Sequence, residues 1–140
     1  MKKISVYLSS TDFHEGIDEM SDVNWKTEIQ KASSSLVDSR KYEFSYYDPL
    51  QTISDKPAIV SSDIRHISWA DFVVCYLPKT KLTIGTLMEL QYACLHKSNE
   101  SIILIDRYKI HRNHPWIKYW VKNIVNDEAE AVKKMTNIIG

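Results

Sequence analysis

The residues best placed to do chemistry are three carboxylates: Asp63, Asp71 eight residues later, and Glu89 eighteen residues beyond that. Glu89 lies in Thr83-Ile84-Gly85-Thr86-Leu87-Met88-Glu89-Leu90, where an apolar strand hands over to a helix. The run Phe72-Val73-Val74-Cys75-Tyr76-Leu77 has the composition of a buried strand, and Thr86 to Lys97, rich in Leu, Met, Glu, Gln and Ala, that of the following helix. Glu89 is therefore expected in the first helical turn. In open α/β sheets ligands bind in the crevice beyond the carboxyl ends of the strands, so an acid at that turn faces a pocket and presents its charge or its proton to whatever binds there. A second reading stays open, because acidic residues in first turns also complement the helix dipole.

Stepping outward to what must position these groups, Ile4 to Leu8 reads as a first strand, followed by a long polar and acidic loop from Ser9 to Ser21. A helix is expected from about Val23 to Val37, with Asp22 as N-cap and Trp25, Ile29, Ala32 and Leu36 spaced along one face. Glu43 to Tyr47 has strand composition and stops at Asp48-Pro49, with a loop up to Pro57. A shorter helix, Ser61 to Trp69, would start on Ser61-Ser62-Asp63 as capping residues and lead through Ala70-Asp71 into the central strand.

Ser101 to Ile105 is a further apolar strand, followed by a basic and aromatic stretch and a short Trp-rich helix. A short strand near Ile124-Val125 and a terminal helix from about Asp127 complete the chain. Strands alternating with helices, with internal strands apolar on both faces, imply an α/β three-layer sandwich. Its central parallel sheet has about five strands, in the flavodoxin-like or Rossmann-like class.

A length of 140 residues suits one domain over 1–140. With 18 basic and 18 acidic side chains the net charge is zero, which provides no electrostatic footprint for polymeric nucleic acid or an anionic membrane. Cys75 and Cys94 belong to no CxxC or CxxH pair and are expected as buried thiols of a cytoplasmic protein. Met1-Lys2-Lys3 runs straight into an apolar strand and no apolar run reaches bilayer length, so neither a leader nor a membrane partner is expected. The five histidines lack metal-ligand spacing, and no GxGxxG or GxxxxGK[ST] run occurs, so no metal and no cofactor are expected.

Taken together, Tyr7 on the first strand, Asp63 before the central strand, Ala70-Asp71 entering it, and Gly85-Thr86-x-x-Glu89-Leu90-x-x-Ala93 after it resemble the nucleoside 2-deoxyribosyltransferase family. The resemblance implies that the Glu89 carboxylate attacks the anomeric carbon of a nucleoside, releases the base and holds the sugar as a glycosyl ester, which a second base or a water resolves. This is retaining glycoside chemistry at an N-glycosidic bond, and it requires Glu89 ionised. A helix terminus supplies only about 0.3 to 1 kcal/mol towards that anion, so the Tyr7 hydroxyl, by the family pattern, would donate the rest. Asp63 matches the carboxylate that orients the sugar or passes a proton to the leaving base, and it is equally open to an N-cap role. Asp71, entering a buried strand, reads as a structural carboxylate that satisfies backbone donors.

Thr83 departs from the pattern. Transferases of the family usually carry Asp six residues before the catalytic Glu, whereas related hydrolases of nucleoside 5'-monophosphates often carry a hydroxyl residue there against phosphate. A hydroxyl is no general acid at neutral pH, and Thr83 precedes a helix N-terminus with Lys79 and Lys81 nearby. The departure favours hydrolysis of a monophosphate over base exchange, and Thr83 is equally open to a reading as an ordinary loop residue. Ser9 and Phe13 follow the first strand on the Glu89 side of the sheet, and Phe13 is placed either to stack on a base or to be buried. His111, Asn113 and His114 either approach a base or serve as turn and cap residues. The implied partner is a small-molecule nucleoside or nucleotide, and the implied assembly a homodimer or higher homo-oligomer, with which four Trp and eight Tyr are compatible. Two rivals remain: a nucleotide-binding sensor without turnover, and an unrelated doubly wound domain of receiver or TIR type, against which Ser9-Ser10 lacks the paired acids of a receiver.

Overall fold

A computed structural model of the chain describes residues 1–10, 20–49, 56–79 and 84–140. Among the described residues five strands and five α-helices alternate: β1 (Lys2–Ser10), α1 (Met20–Leu36), β2 (Tyr42–Tyr47), α2 (Lys56–Trp69), β3 (Phe72–Tyr76), α3 (Ile84–His96), β4 (Ile102–Ile105), α4 (Pro115–Trp120), β5 (Asn123–Val125) and α5 (Glu128–Ile139). All four strand pairings are parallel, and the order across the sheet is β2-β1-β3-β4-β5. This is the flavodoxin-like order, in which the direction of winding reverses between β1 and β3 and opens a crevice at their carboxyl ends.

The alternation of side chains along β1 divides the interior. Ile4, Val6 and Leu8 join Trp25 and Ile29 of α1 and Ala131, Val132 and Met135 of α5 on one face. Tyr7 turns to the other face, with Ile67 of α2, Leu90, Ala93 and Cys94 of α3, and Val121. Every residue of β3 and β4 is buried, as expected for strands covered on both sides. Both cysteines are free and buried. Among the described residues no helix is long and apolar enough to cross a membrane.

Three helices begin earlier than the sequence suggests, and each shift changes the role of an acid. Helix α1 starts at Met20, so Asp22 lies within its first turn, not at its cap. Asp22 is buried, and its Oδ1 accepts from the Tyr76 hydroxyl at 2.5 Å and the Tyr108 hydroxyl at 3.1 Å. Helix α2 starts at Lys56, with Pro57 in the first turn where a missing N–H costs nothing. Asp63 is therefore mid-helix, and its N-cap reading is withdrawn. Helix α3 starts at Ile84, which moves Glu89 from the first turn into the second. Gly85 had marked that boundary, but one glycine costs about 1 kcal/mol, less than the packed face of Thr86, Leu90 and Ala93 returns.

Asp71 behaves as the sequence suggests: its Oδ2 accepts from the Ser5 backbone N–H at 2.8 Å, tying the entry of β3 to β1. Asp127 caps α5 by accepting from the Glu130 N–H. The role of Asp22 yields a test. An N-cap aspartate is replaced by serine at little cost, whereas a buried acceptor of two phenols is not. Asp22→Ser is thus expected to destabilise the protein nearly as much as Asp22→Ala, by about 2 kcal/mol in urea unfolding.

Candidate active site

The site forms where α3 crosses the carboxyl-terminal end of β1. Thr86, Glu89, Leu90 and Ala93 share one face of α3, and the small Ala93, fully buried, lets the helix lie close to the sheet. That closeness brings the Glu89 carboxylate to two hydroxyls of β1. Tyr7 donates its hydroxyl to Oε2, and Ser9 donates to Oε1 at 3.2 Å. Tyr7 and Ser9 project to the same face because they are two apart in a strand, and both are fully buried. Ser9 is thus a strand residue beneath the carboxylate, not part of a loop over it.

The electrostatics are a contest between burial and these donors. Burial is the larger effect and pushes the Glu89 carboxyl up to about 7; the Tyr7 hydrogen bond pulls it down, Asp63 raises it, and Ser9 and Lys26 lower it. The sequence-level expectation that the Tyr7 bond would hold Glu89 ionised is met in geometry but not in balance. Glu89 is divided between acid and anion near neutrality. Tyr7 itself is pushed far above the ordinary phenol range, by burial first and then by Glu89, so it remains a donor throughout. Asp63 approaches from α2, partly buried, with burial raising its carboxyl and His66 lowering it.

Several groups at the site had no signal in the linear motif. Tyr47 pairs with Tyr7 across β1 and β2, and the two rings stack at 5.7 Å. His66 stacks on the far face of this shelf, 3.8 Å from Tyr47 and nearly parallel at 8°. Lys26 of α1 forms a 2.5 Å ion pair with Asp48, the residue after β2. The spacing Asp63-x-x-His66 on one helix could have drawn attention to the histidine, but Tyr47 and Lys26 become neighbours only through the sheet order.

The remaining expected residues are distributed differently. Gly85 and Thr86 occupy the first turn of α3, Thr86 buried and Gly85 exposed. A Cβ added at Gly85 would meet nothing within 4 Å, so no close approach requires glycine there. Thr83 and Phe13 lie outside the described residues. His114 is the N-cap of α4, accepting from the Trp116 N–H, and His111 Nε2 donates to the Pro78 carbonyl at 2.8 Å. Both line an apolar cavity of about 340 Å³ between α3 and α4, whose walls include Leu87, Cys94 and Trp116 but not Glu89.

A partly buried, hydrogen-bonded carboxylate at the switch point, with a second carboxylate nearby, defines an α/β domain of flavodoxin-like order with an acidic site. No protein-family model matches the chain, and no curated protein matches it in sequence. Solved structures do. The 2-deoxyribosyltransferase of the psychrotolerant bacterium Bacillus psychrosaccharolyticus superposes with a TM-score of 0.67 at 14% identity, covering 91% of this chain and 90% of that one. A conserved protein from Enterococcus faecalis V583 gives 0.64 at 12% identity, covering 96% and 98%. The CMP N-glycosidase of Clostridium botulinum gives 0.53 at 18% identity, covering 95% and 98%. The neighbours thus include a deoxyribosyltransferase and a nucleotide N-glycosidase, and at these identities the likeness is one of fold.

The raised carboxyl has a consequence for stability. The Glu89 value of about 7 exceeds the 4.5 of a free glutamate, so the folded state holds its proton more tightly than the unfolded state. Its contribution is fully present below about pH 4.5 and is lost as pH rises through 7. Glu89→Gln, which stays neutral, is therefore expected to match wild type in urea unfolding at pH 4.5 and to exceed it by about 2 to 3 kcal/mol at pH 8.5. Equal stability at both values would show that the carboxyl is not desolvated.

Proposed function

We propose that this protein is a nucleoside 2-deoxyribosyltransferase-like enzyme that cleaves the N-glycosidic bond of a 2'-deoxynucleoside or its 5'-monophosphate through a covalent glycosyl-Glu89 intermediate. The observation that carries this reading is the contact of Glu89 with the Tyr7 hydroxyl at the switch point. Two of its structural neighbours also break or exchange that class of bond. The anionic Glu89 oxygen attacks the anomeric carbon as the bond to the base breaks, and the electron pair leaves with the base. Tyr7 and Ser9 orient the carboxylate, and their donation favours the anion that attack requires. Asp63 stands on the sugar side, to orient hydroxyls or to carry a proton to the leaving base.

Resolution of the glycosyl ester by a second base is transfer, and by water is hydrolysis. We assign base exchange as the default, with monophosphate hydrolysis as the outcome that Thr83 favours. In this reading Thr83, Gly85, Thr86 and Phe13 line the substrate, Ser9 acts on it through Glu89, and no metal or other cofactor enters.

Chromatography of the protein incubated with each deoxynucleoside and deoxynucleoside 5'-monophosphate, with and without a second free base, tests this directly. A new nucleoside establishes transfer; base without exchange, from monophosphates only, establishes hydrolysis; and no turnover of any of them would return the protein to nucleotide binding alone. Glu89→Ala is expected to abolish base release, and full activity in that variant would remove the covalent route. Because the attacking group must be the anion, kcat/KM is expected to rise along an acid limb with a midpoint near 7. Thr83→Val should raise KM for a monophosphate more than for a nucleoside.

The homo-oligomer is assigned to the outer face of α3 and α4. Ile84, Met88, Trp116 and Tyr119 are all more than 60% exposed there, an apolar surface that a second copy would cover. Met88→Glu combined with Trp116→Glu is expected to yield a monomer in sedimentation velocity with an unchanged circular dichroism spectrum. A wild-type protein already monomeric at micromolar concentration would remove the assignment.

A further inference from the structure

Tyr7, the donor to Glu89, stands one strand from the edge of the sheet. Its cross-strand neighbours in the parallel register are Val73 of β3 and Tyr47 of β2. Val73 is fully buried in the same apolar layer as Tyr7, so that side of the ring is closed. On the other side the Tyr7 ring meets Tyr47, with 5.7 Å between centroids and 27° between planes. Strand β2 ends the sheet, and among the described residues no further strand covers Tyr47 in turn.

His66 of α2 covers it instead. Its imidazole lies on Tyr47 at 3.8 Å and 8°, closer and flatter than the Tyr7–Tyr47 pair, and Trp69 meets the imidazole edge-on at 6.0 Å and 62°. The imidazole is itself set by its own helix. Nδ1 lies 2.8 Å from the carbonyl oxygen of Ser62, four residues back; that oxygen can only accept, so Nδ1 carries the proton and donates it. A tyrosine ring turns about two side-chain bonds, and its hydroxyl travels furthest when it does. The packing that holds the plane of the Tyr7 ring therefore decides whether its hydroxyl stays on Glu89. Ring stacking carries that restraint inward, from His66 to Tyr47 and from Tyr47 to Tyr7.

We propose that His66 and Tyr47 are positioning residues: their stack closes the β2 edge of the sheet and holds the Tyr7 ring at the angle from which its hydroxyl donates to Glu89. The role in catalysis rests on the N-glycosidic reading above, but the restraint on Tyr7 does not. What the stack requires at position 66 is a flat ring, whatever its charge.

The test compares His66→Phe, which keeps a flat ring, with His66→Ala, which removes it. The readout without substrate is the proton NMR signal of the Tyr7 hydroxyl, shifted downfield by its bond to a carboxylate and assigned by its loss in Tyr7→Phe. It is recorded at about pH 8.5, above the Glu89 value of about 7. The signal is expected in wild type and in His66→Phe, and to be broadened beyond detection in His66→Ala. For base release, kcat is expected to fall about tenfold or more in His66→Ala with KM changed by less than about twofold, and to return in His66→Phe. Should His66→Ala not fold by circular dichroism, Tyr47→Leu removes the middle ring with the same expected loss. An equally sharp Tyr7 signal in the folded variant overturns the proposal, as does its absence from wild type. So does full base release by a variant that has lost the signal, or a His66→Phe protein as impaired as His66→Ala. A signal that follows the ring at position 66 in a protein that releases no base upholds the restraint on Tyr7 while the N-glycosidic reading falls.

Discussion

Glu89 is held by two hydroxyls that belong to a different element, and much of the architecture follows from making that contact possible. A carboxylate withdrawn from water favours its neutral form unless donors replace the lost hydration. Here Tyr7 and Ser9 replace part of it, and burial still prevails, leaving the group near 7. Under the proposed function, such a balance places the attacking carboxyl close to the pH at which it must become an anion. It also demands a precise separation between α3 and β1, which Ala93 permits by bringing the helix down onto the sheet.

The opposite face of the sheet carries a second polar network that holds the frame. Tyr76 donates to Asp22 of α1 and accepts from Arg107 Nε at 3.1 Å, while Arg107 pairs with Glu128 at the start of α5. Trp25 stacks on Tyr76 at 5.1 Å within the same region. One buried phenol of β3 thereby links α1, the segment after β4, and α5. The segment after β4 is further organised by Asp106, fully buried, which accepts from the backbone N–H groups of His111 and Arg112 and from the Arg112 side chain. Asp106 and Glu128 are each paired with an arginine, and Asp22 is satisfied by two phenols, as a low-dielectric interior requires.

The two faces therefore divide the labour. The α1/α5 face is anchored by matched ion pairs and aromatic packing. The α2/α3 face holds the partly buried carboxyls of Glu89 and Asp63, and Asp63 pushes the Glu89 carboxyl up. Lys26 and Asp48 stand at the crevice between them, an ion pair joining α1 to the end of β2. A site assembled from Tyr7, Asp63 and Glu89 draws on three elements far apart in the chain, so its signature in the sequence is a set of spacings and not a contiguous motif.

The sequence by itself determined the alternation of strands and helices, the five-stranded parallel sheet and the structural role of Asp71, because each rests on local composition and on periodicity. It also singled out Tyr7 and Glu89, which the fold brings into contact. It misplaced the starts of α1, α2 and α3, since helix ends depend on what the first turn packs against: Asp22 was read as a cap and is a buried acceptor for Tyr76. Tertiary structure alone decided that Ser9 lies beneath Glu89, that Tyr47 and His66 form a stack beside Tyr7, and that burial outweighs hydrogen bonding at the carboxylate. Those outcomes depend on strand order and on distances between elements, and no spacing along the chain encodes the desolvation of a group by residues more than sixty positions away.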